Sequence, residues 1–199
     1  MSSATPYISK LTDRFDDAFV YAHRIHRNQR RKRTERPYIS HLMGVASLVL
    51  QYGGDEEQAI AALLHDAVED CGGAPRLKEI REKFGERVAR IVNGCTDSDQ
   101  MQKPPWRERK QRYVDHVRKE EPDVLLVSAA DKLYNVREIL MDLREHSSAV
   151  WDRFSGGREG SLWYYRALVE AFHGRAAHAL VDELERAVSE LERLSTSVP

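Results

Sequence analysis

The run His65-Asp66-Ala67-Val68-Glu69-Asp70 sets an imidazole and three carboxylates within helical reach of one another. On a continuous helix His65 and Glu69 stand at i and i+4 on one face, Asp66 and Asp70 do the same, and the two rows are neighbours. A metal-ligand pair beside a carboxylate pair reads as a metallohydrolase centre. The preceding Ala59-Ile60-Ala61-Ala62-Leu63-Leu64 is apolar, so the cluster is expected at the end of a buried helix, where charge is costly unless a metal or partner satisfies it. Gly72-Gly73 then ends that helix.

A divalent site needs further ligands from other helices, and two residues stand in suitable surroundings. His41 follows Pro37-Tyr38-Ile39-Ser40 and opens an apolar helix. Asp131 interrupts the apolar run 124–130 and is followed by Lys132-Leu133-Tyr134-Asn135; an acid within so apolar a helix requires a partner. Two imidazoles and two carboxylates suit Mn²⁺, Fe²⁺, Zn²⁺ or Mg²⁺ with positions open for water and substrate, and spacing does not choose among them.

These residues must be positioned by a helical scaffold. Apolar residues recur at helical spacing through Phe15, Phe19, Ala22 and His26, then through Leu42, Val45, Ala46 and Val49, then through Ala59, Ala62 and Leu63. Further helices are expected over 77–84 and 88–92, separated at Gly85, and over 106–119. The remaining ones are 124–143 behind Pro122, 162–173, and 176–194 with Leu180, Leu184, Ala187, Val188 and Leu191 on one stripe. No alternating pattern supports strands. Loops are expected at 30–36, 72–75, 97–105 and 155–160, with a frayed tail over 195–199.

At 199 residues, with 41% hydrophobic and 32% charged, the chain suits one helix-rich domain whose core spans about 10–194. No apolar run is long enough to span a membrane and the first residues lack the regions of a signal peptide, so a cytoplasmic protein is expected. Cys71 and Cys95 form no CxxC motif and need no disulfide. The net charge of -1 conceals a basic block of Arg24, Arg27, Arg30, Arg31, Lys32, Arg33 and Arg36. With a near-neutral balance and no interleaved aromatics, this block fits a small polyphosphate better than a nucleic-acid polymer. The pair His23 and His26 reads as helix packing or phosphate contact, and Arg158, Trp163, Tyr164 and Tyr165 read as packing residues.

The ordered set His41, His65-Asp66 and Asp131 resembles the signature of the HD superfamily of metal-dependent phosphohydrolases. A closer resemblance is to the hydrolase domain of the RelA/SpoT family. It is carried by Gln29-Arg30-Arg31-Lys32 with Pro37-Tyr38-Ile39-Ser40-His41, by the run 61–70, by Phe84-Gly85 with Val88, and by Asp131-Lys132-Leu133-Tyr134-Asn135-Val136-Arg137. The resemblance spans roughly 18–184 and implies an all-α HD-domain bundle of about ten helices, standing alone without a synthetase domain.

What the resemblance implies for activity is hydrolysis of the 3′-pyrophosphate of guanosine tetra- and pentaphosphate, the alarmones of the stringent response, with Mn²⁺ as cofactor and a small nucleotide as the partner. His41, His65, Asp66 and Asp131 would be the metal ligands, and Glu69 and Asp70 the catalytic pair that orients or deprotonates water. Arg31, Lys32, Asn135 and Arg137 would bind the nucleotide. The chain departs from the family where Arg33-Thr34-Glu35-Arg36 is one residue longer than usual and lacks a glycine. Counting back from His41 assigns the basic pair to Lys32-Arg33 instead, and Tyr134 stands where a histidine is common. An adenine alarmone, another nucleoside phosphate, or a nucleotide-binding module without turnover therefore stay as alternatives, and the oligomeric state is open.

Overall fold

Apolar side chains at helical spacing wind the chain, over residues 10–32, 34–97 and 104–197 that the computed structural model describes, into an all-α bundle. The ten α-helices among these residues are α1 (Asp13–Ile25), α2 (Ile39–Gln51), α3 (Glu56–Leu64), α4 (Ala67–Cys71), α5 (Gly73–Phe84), α6 (Glu86–Cys95), α7 (Trp106–Val117), α8 (Pro122–His146), α9 (Gly157–Phe172) and α10 (His178–Ser197). A 3₁₀ segment, Ser147–Arg153, joins α8 to α9. The one departure from helix and loop among the described residues is an isolated antiparallel bridge between Arg30 and Pro37, which closes the basic loop.

Local signals set the helix ends. Asp55 and Gln58 form a capping box at the start of α3, so two backbone N–H groups that the helix leaves unpaired are satisfied reciprocally. Thr12 caps α1, and its backbone N–H and hydroxyl donate to Glu56 Oε1 at 2.5 and 2.8 Å, which ties α1 to the start of α3. Gly72, at φ +132°, ends α4 in a conformation that a side chain would strain.

The longest helix, the 25-residue α8, opens on Pro122 and packs against α2, α3, α6, α9 and α10. Its residues 124–130 are all buried, so Asp131 is carried into the interior by the helix that organises it. The helix α2 crosses α8 at Gly44, where a Cβ would fall 1.9 Å from Tyr134 Cε2. His41 lies one turn before Gly44, and Asp131 lies one turn before Tyr134. The missing side chain thus lets two donor-bearing helices meet at contact distance.

Four expectations from the sequence need correction. The run 59–70 is not one helix: α3 stops at Leu64, His65 and Asp66 form a turn, and a five-residue α4 follows. Asp66, at φ −93° and ψ −4°, sits at the edge of the right-handed helical region, while His65 turns its Nδ1 back to Ala62 O. Consecutive residues on a continuous helix project about 100° apart; the turn instead lets neighbours aim at one point. Residues 73–75 are not loop but the first turn of α5, where a proline costs no hydrogen bond. Likewise 157–160 belong to α9. The expected tail is helical to Ser197, with Ser195 buried and its hydroxyl donating to Leu191 O at 2.6 Å. Of the expected loop 97–105, positions 98–103 lie outside the described residues, as does Arg33.

Gly44→Ala is expected to destabilise the fold by about 1–3 kcal/mol, the usual cost of forcing extra volume into a packed contact. It should also weaken metal binding, because His41 and Asp131 sit beside that contact. Thermal melts and metal content of the purified variant check both; an unchanged melt with full metal would show that α2 and α8 are not held at their limit.

Candidate active site

Four donor atoms from three parts of the chain converge beside α8. His41 Nε2, from the first turn of α2, lies 3.3 Å from His65 Nε2, 3.4 Å from Asp66 Oδ2 and 3.3 Å from Asp131 Oδ1. His65 Nε2 lies 3.1 Å from Asp66 Oδ2 and 3.6 Å from Asp131 Oδ1. Both imidazoles and Asp131 are buried, and Asp66 is half-buried.

The surroundings fix these donors. His65 Nδ1–H donates to Ala62 O at 2.8 Å, which turns Nε2 to the centre. Tyr38, the residue before α2, donates its hydroxyl to Asp66 Oδ2 at 2.5 Å. Asp131 is held twice, by Asn135 Nδ2 on Oδ1 and by Lys132 Nζ on Oδ2, each at 2.5 Å. The His41 ring is bracketed edge-on by Tyr38, His65 and Tyr134, at centroid distances of 5.6, 5.1 and 5.1 Å.

Burial pushes the Asp66 carboxyl up, but the adjacent His65 and His41 outweigh it and hold Asp66 well below the usual carboxylate range. Burial also opposes ionisation of Asp131; Lys132 and the two imidazoles reverse that. Lys132 keeps its charge against burial because Asp131 faces it. His41, His65 and Asp66 make a donor set that fits a divalent cation, and Asp131 Oδ1 adjoins both imidazoles. A second gathering of acids, Asp142 with Glu145 and His146, is different: Asp142 Oδ1 and Oδ2 already accept from Arg36 at 2.5 Å and Arg153 at 2.7 Å.

Beside the centre opens a cavity of about 350 Å³. Lys132 and Asn135, which both grip Asp131, line it, so the cavity floor is continuous with the donor cluster. Its walls carry Arg31, Lys32, Arg36, Arg109, Lys110 and Arg153, against the acids Glu69, Glu138 and Asp142. Cations thus outnumber carboxylates on the wall, as a polyanion requires.

The structure gathers most of the residues picked from sequence. Glu69 lines the cavity from α4, one turn beyond Asp66. Asp70 is exposed and accepts from Gln29 Nε2 at 2.8 Å. Arg31 reaches the wall with Nε on Glu138 Oε2 at 2.9 Å and Nη2 on Asn135 Oδ1 at 2.5 Å, and Lys32 stands at the rim.

Two are not gathered: Asp70 is not among the residues that line the cavity, and Arg137 lies apart from it. Arg137 is exposed and pairs with Glu183 of α10 at 2.8 Å, because two residues along α8 from Asn135 the helix presents another face. Arg158 likewise lies away from the cavity, on Glu159 and Ser195 O. Tyr164 and Tyr165, expected as packing residues, are buried and also form cavity wall. Sequence reasoning gave no role to Tyr38, Lys132, Glu138 or Asp142. Tyr38 and Lys132 each adjoin a motif that it did pick out, which is the signal that was available.

An all-helical bundle that brings His41, a His65-Asp66 doublet and Asp131 together has the architecture of an HD domain. The profile of the HD-domain family matches residues 18–162, and the chain belongs to that family. It is 44% identical over 117 residues to the zebrafish (Danio rerio) guanosine-3′,5′-bis(diphosphate) 3′-pyrophosphohydrolase MESH1; the match covers 57% of this chain and 62% of that protein, less than two thirds of its length. With the human (Homo sapiens) MESH1 the identity is 40% over 126 residues, covering 62% of this chain and 68% of the human protein. A solved structure described as a metazoan ortholog of SpoT that hydrolyses ppGpp superposes with a TM-score of 0.73 at 29% identity, covering 93% of this chain and 97% of the other.

Tyr38→Phe removes a hydroxyl that donates to the Asp66 carboxylate. It should leave the melting temperature nearly unchanged and weaken divalent-metal affinity by about 10–100-fold, the usual cost of losing an outer partner of a ligand. Metal titration of the stripped variant measures this, and wild-type affinity would show that Tyr38 does not set the position of Asp66.

Proposed function

We propose that this protein hydrolyses the 3′-pyrophosphate of guanosine tetra- and pentaphosphate, releasing pyrophosphate, with Mn²⁺ as its resident ion and the cytoplasm as its compartment. The observation that carries the reading is the junction of the donor cluster with a cation-walled cavity, which has Glu69 on its wall one turn from Asp66. The matched relatives named for this activity support the same substrate class. The free Cys71 and Cys95 are compatible with a reducing compartment. Among the described residues no helix is long and apolar enough to cross a membrane.

His41, His65, Asp66 and Asp131 would hold the ion. Its chemistry is a lowered pKa for water and positive charge against phosphate. Glu69 is the candidate acceptor for the proton of the attacking water, and Asp70 orients that water. Lys132 brings a buried ammonium to the cavity floor, where it faces the phosphate being cleaved. Arg31 and Lys32 grip the phosphates from the basic loop, Arg31 from a guanidinium already oriented by Glu138 and Asn135. Asn135 and Tyr165 border the space for the nucleoside.

The test is a panel of guanine and adenine alarmones and ordinary nucleotides, offered to protein stripped and reloaded with Mn²⁺, Mg²⁺ or Zn²⁺. Guanine alarmones should be cleaved with release of pyrophosphate, most efficiently with Mn²⁺. Release of orthophosphate from ordinary nucleotides, with the alarmones untouched, would replace this reading by a general nucleotide phosphohydrolase. Asp66→Ala should lose both metal and turnover. Glu69→Ala should keep the metal and lose roughly 10²–10⁴-fold in kcat, the range of general acid–base catalysis. Full activity in Asp66→Ala would sink the ligand assignment.

A further inference from the structure

Outside the metal centre, a line of hydrogen bonds runs from the interior to Asp70. Gln29, at the start of the basic loop, donates Nε2–H to Asp70 Oδ2 at 2.8 Å, and its Oε1 lies 2.6 Å from His26 Nδ1. Donor counting fixes every direction. A carboxylate only accepts, so the amide nitrogen must face Asp70; the amide oxygen then faces His26, and His26 Nδ1 must carry the hydrogen.

The histidine is well placed to enforce this. Its ring is 2% exposed and stacks on Tyr38, with centroids 5.2 Å apart and planes 16° from parallel. Burial lowers its pKa, so the neutral ring has a single N–H to give. On its other side the Cys71 thiol lies 3.5 Å from Nδ1 and 3.8 Å from Nε2, and donates to Ile25 O at 3.6 Å. The ring that orients Gln29 therefore also packs against the tyrosine that holds Asp66. Asp70, by contrast, sits exposed on the five-residue α4, where little else restrains a carboxylate.

We propose that Gln29 and His26 are positioning residues for Asp70: His26 fixes the Gln29 amide, the amide holds Asp70 Oδ2, and Oδ1 is left to turn to the reacting water. The inference rests on the role given to Asp70 under the proposed function. Neither residue touches substrate; both act through the carboxylate, and α1 is thereby joined to the chemistry on α4.

Two measurements test it. In metal-free protein, nitrogen-15 NMR of the imidazoles should show His26 as the neutral Nδ1–H tautomer, converting on Gln29→Ala; an Nε2–H tautomer in the wild type would overturn the proposal whatever the enzyme's substrate. In Mn²⁺-loaded protein turning over guanosine tetraphosphate, Gln29→Ala and His26→Phe, which keeps a ring against Tyr38, should each lower kcat about tenfold or more with KM and metal content held. Gln29→Glu should fall further, since it sets a second carboxylate against Asp70, and Gln29→Ala should cost nothing more in an Asp70→Asn background. A wild-type rate in Gln29→Glu, or additive losses in the double variant, would overturn this inference alone. A wild-type rate in Asp70→Asn would overturn the role of Asp70 and this inference with it.

Discussion

Charge taken out of water is costly unless neutralised in place, and α8 takes Asp131 out of water in the middle of its apolar run. The surrounding structure answers that one placement. Lys132 and Asn135 saturate the carboxylate from within α8, His41 arrives on α2, and the turn after α3 delivers His65 and Asp66. Removing any one of these would leave another buried charge uncompensated, so the donor set is mutually dependent. A divalent cation held there would complete the same balance, its charge set against the two carboxylates.

The cavity inherits its chemistry from this arrangement. Lys132 and Asn135 cannot release Asp131 without exposing it, so their positions on the cavity floor are as fixed as the donor cluster itself. The outer wall follows a different rule. Arg31 is paired with Glu138, Arg36 and Arg153 share Asp142, and Arg109 and Lys110 share Asp97. Cations clustered this closely would repel one another; interleaved carboxylates hold them together while leaving the sum positive. An anion of the kind proposed would exchange for part of that internal pairing with no bare charge to gather first.

Residue type and surroundings made the four donors legible, because a histidine or aspartate inside an apolar segment announces a partner. The helices around them were legible from periodicity. The turn at His65-Asp66 was not, since Ala67 and Val68 continue the apolar pattern across it and both turn residues keep right-handed backbone angles. Arg137 was named from the resemblance alone, and two positions along α8 from Asn135 the helix turns it to another face, onto Glu183. Tyr164 and Tyr165 satisfy two descriptions at once, being buried in the core and forming cavity wall, and composition sees only the first. Glu138 and Asp142 gain meaning only from arginines more than a hundred positions earlier.

The basic loop makes its reversal with a threonine side chain. Its segment Thr34-Glu35-Arg36 must turn back so that Arg31 N–H reaches Arg36 O at 2.9 Å and Tyr38 N–H reaches Gln29 O at 3.1 Å. Thr34 does this with its side chain: the hydroxyl donates to Arg31 O at 3.1 Å and accepts from Arg36 N–H at 3.2 Å, while its own N–H also donates to Arg31 O at 2.9 Å. A hydroxyl that mimics a backbone group supports a tight reversal. Arg36 then anchors the returning strand of the loop to Asp142 of α8. The loop is consequently held at both ends against the helix that carries Asp131, so the aim of Arg31 into the cavity is set by the same element that places the donor cluster.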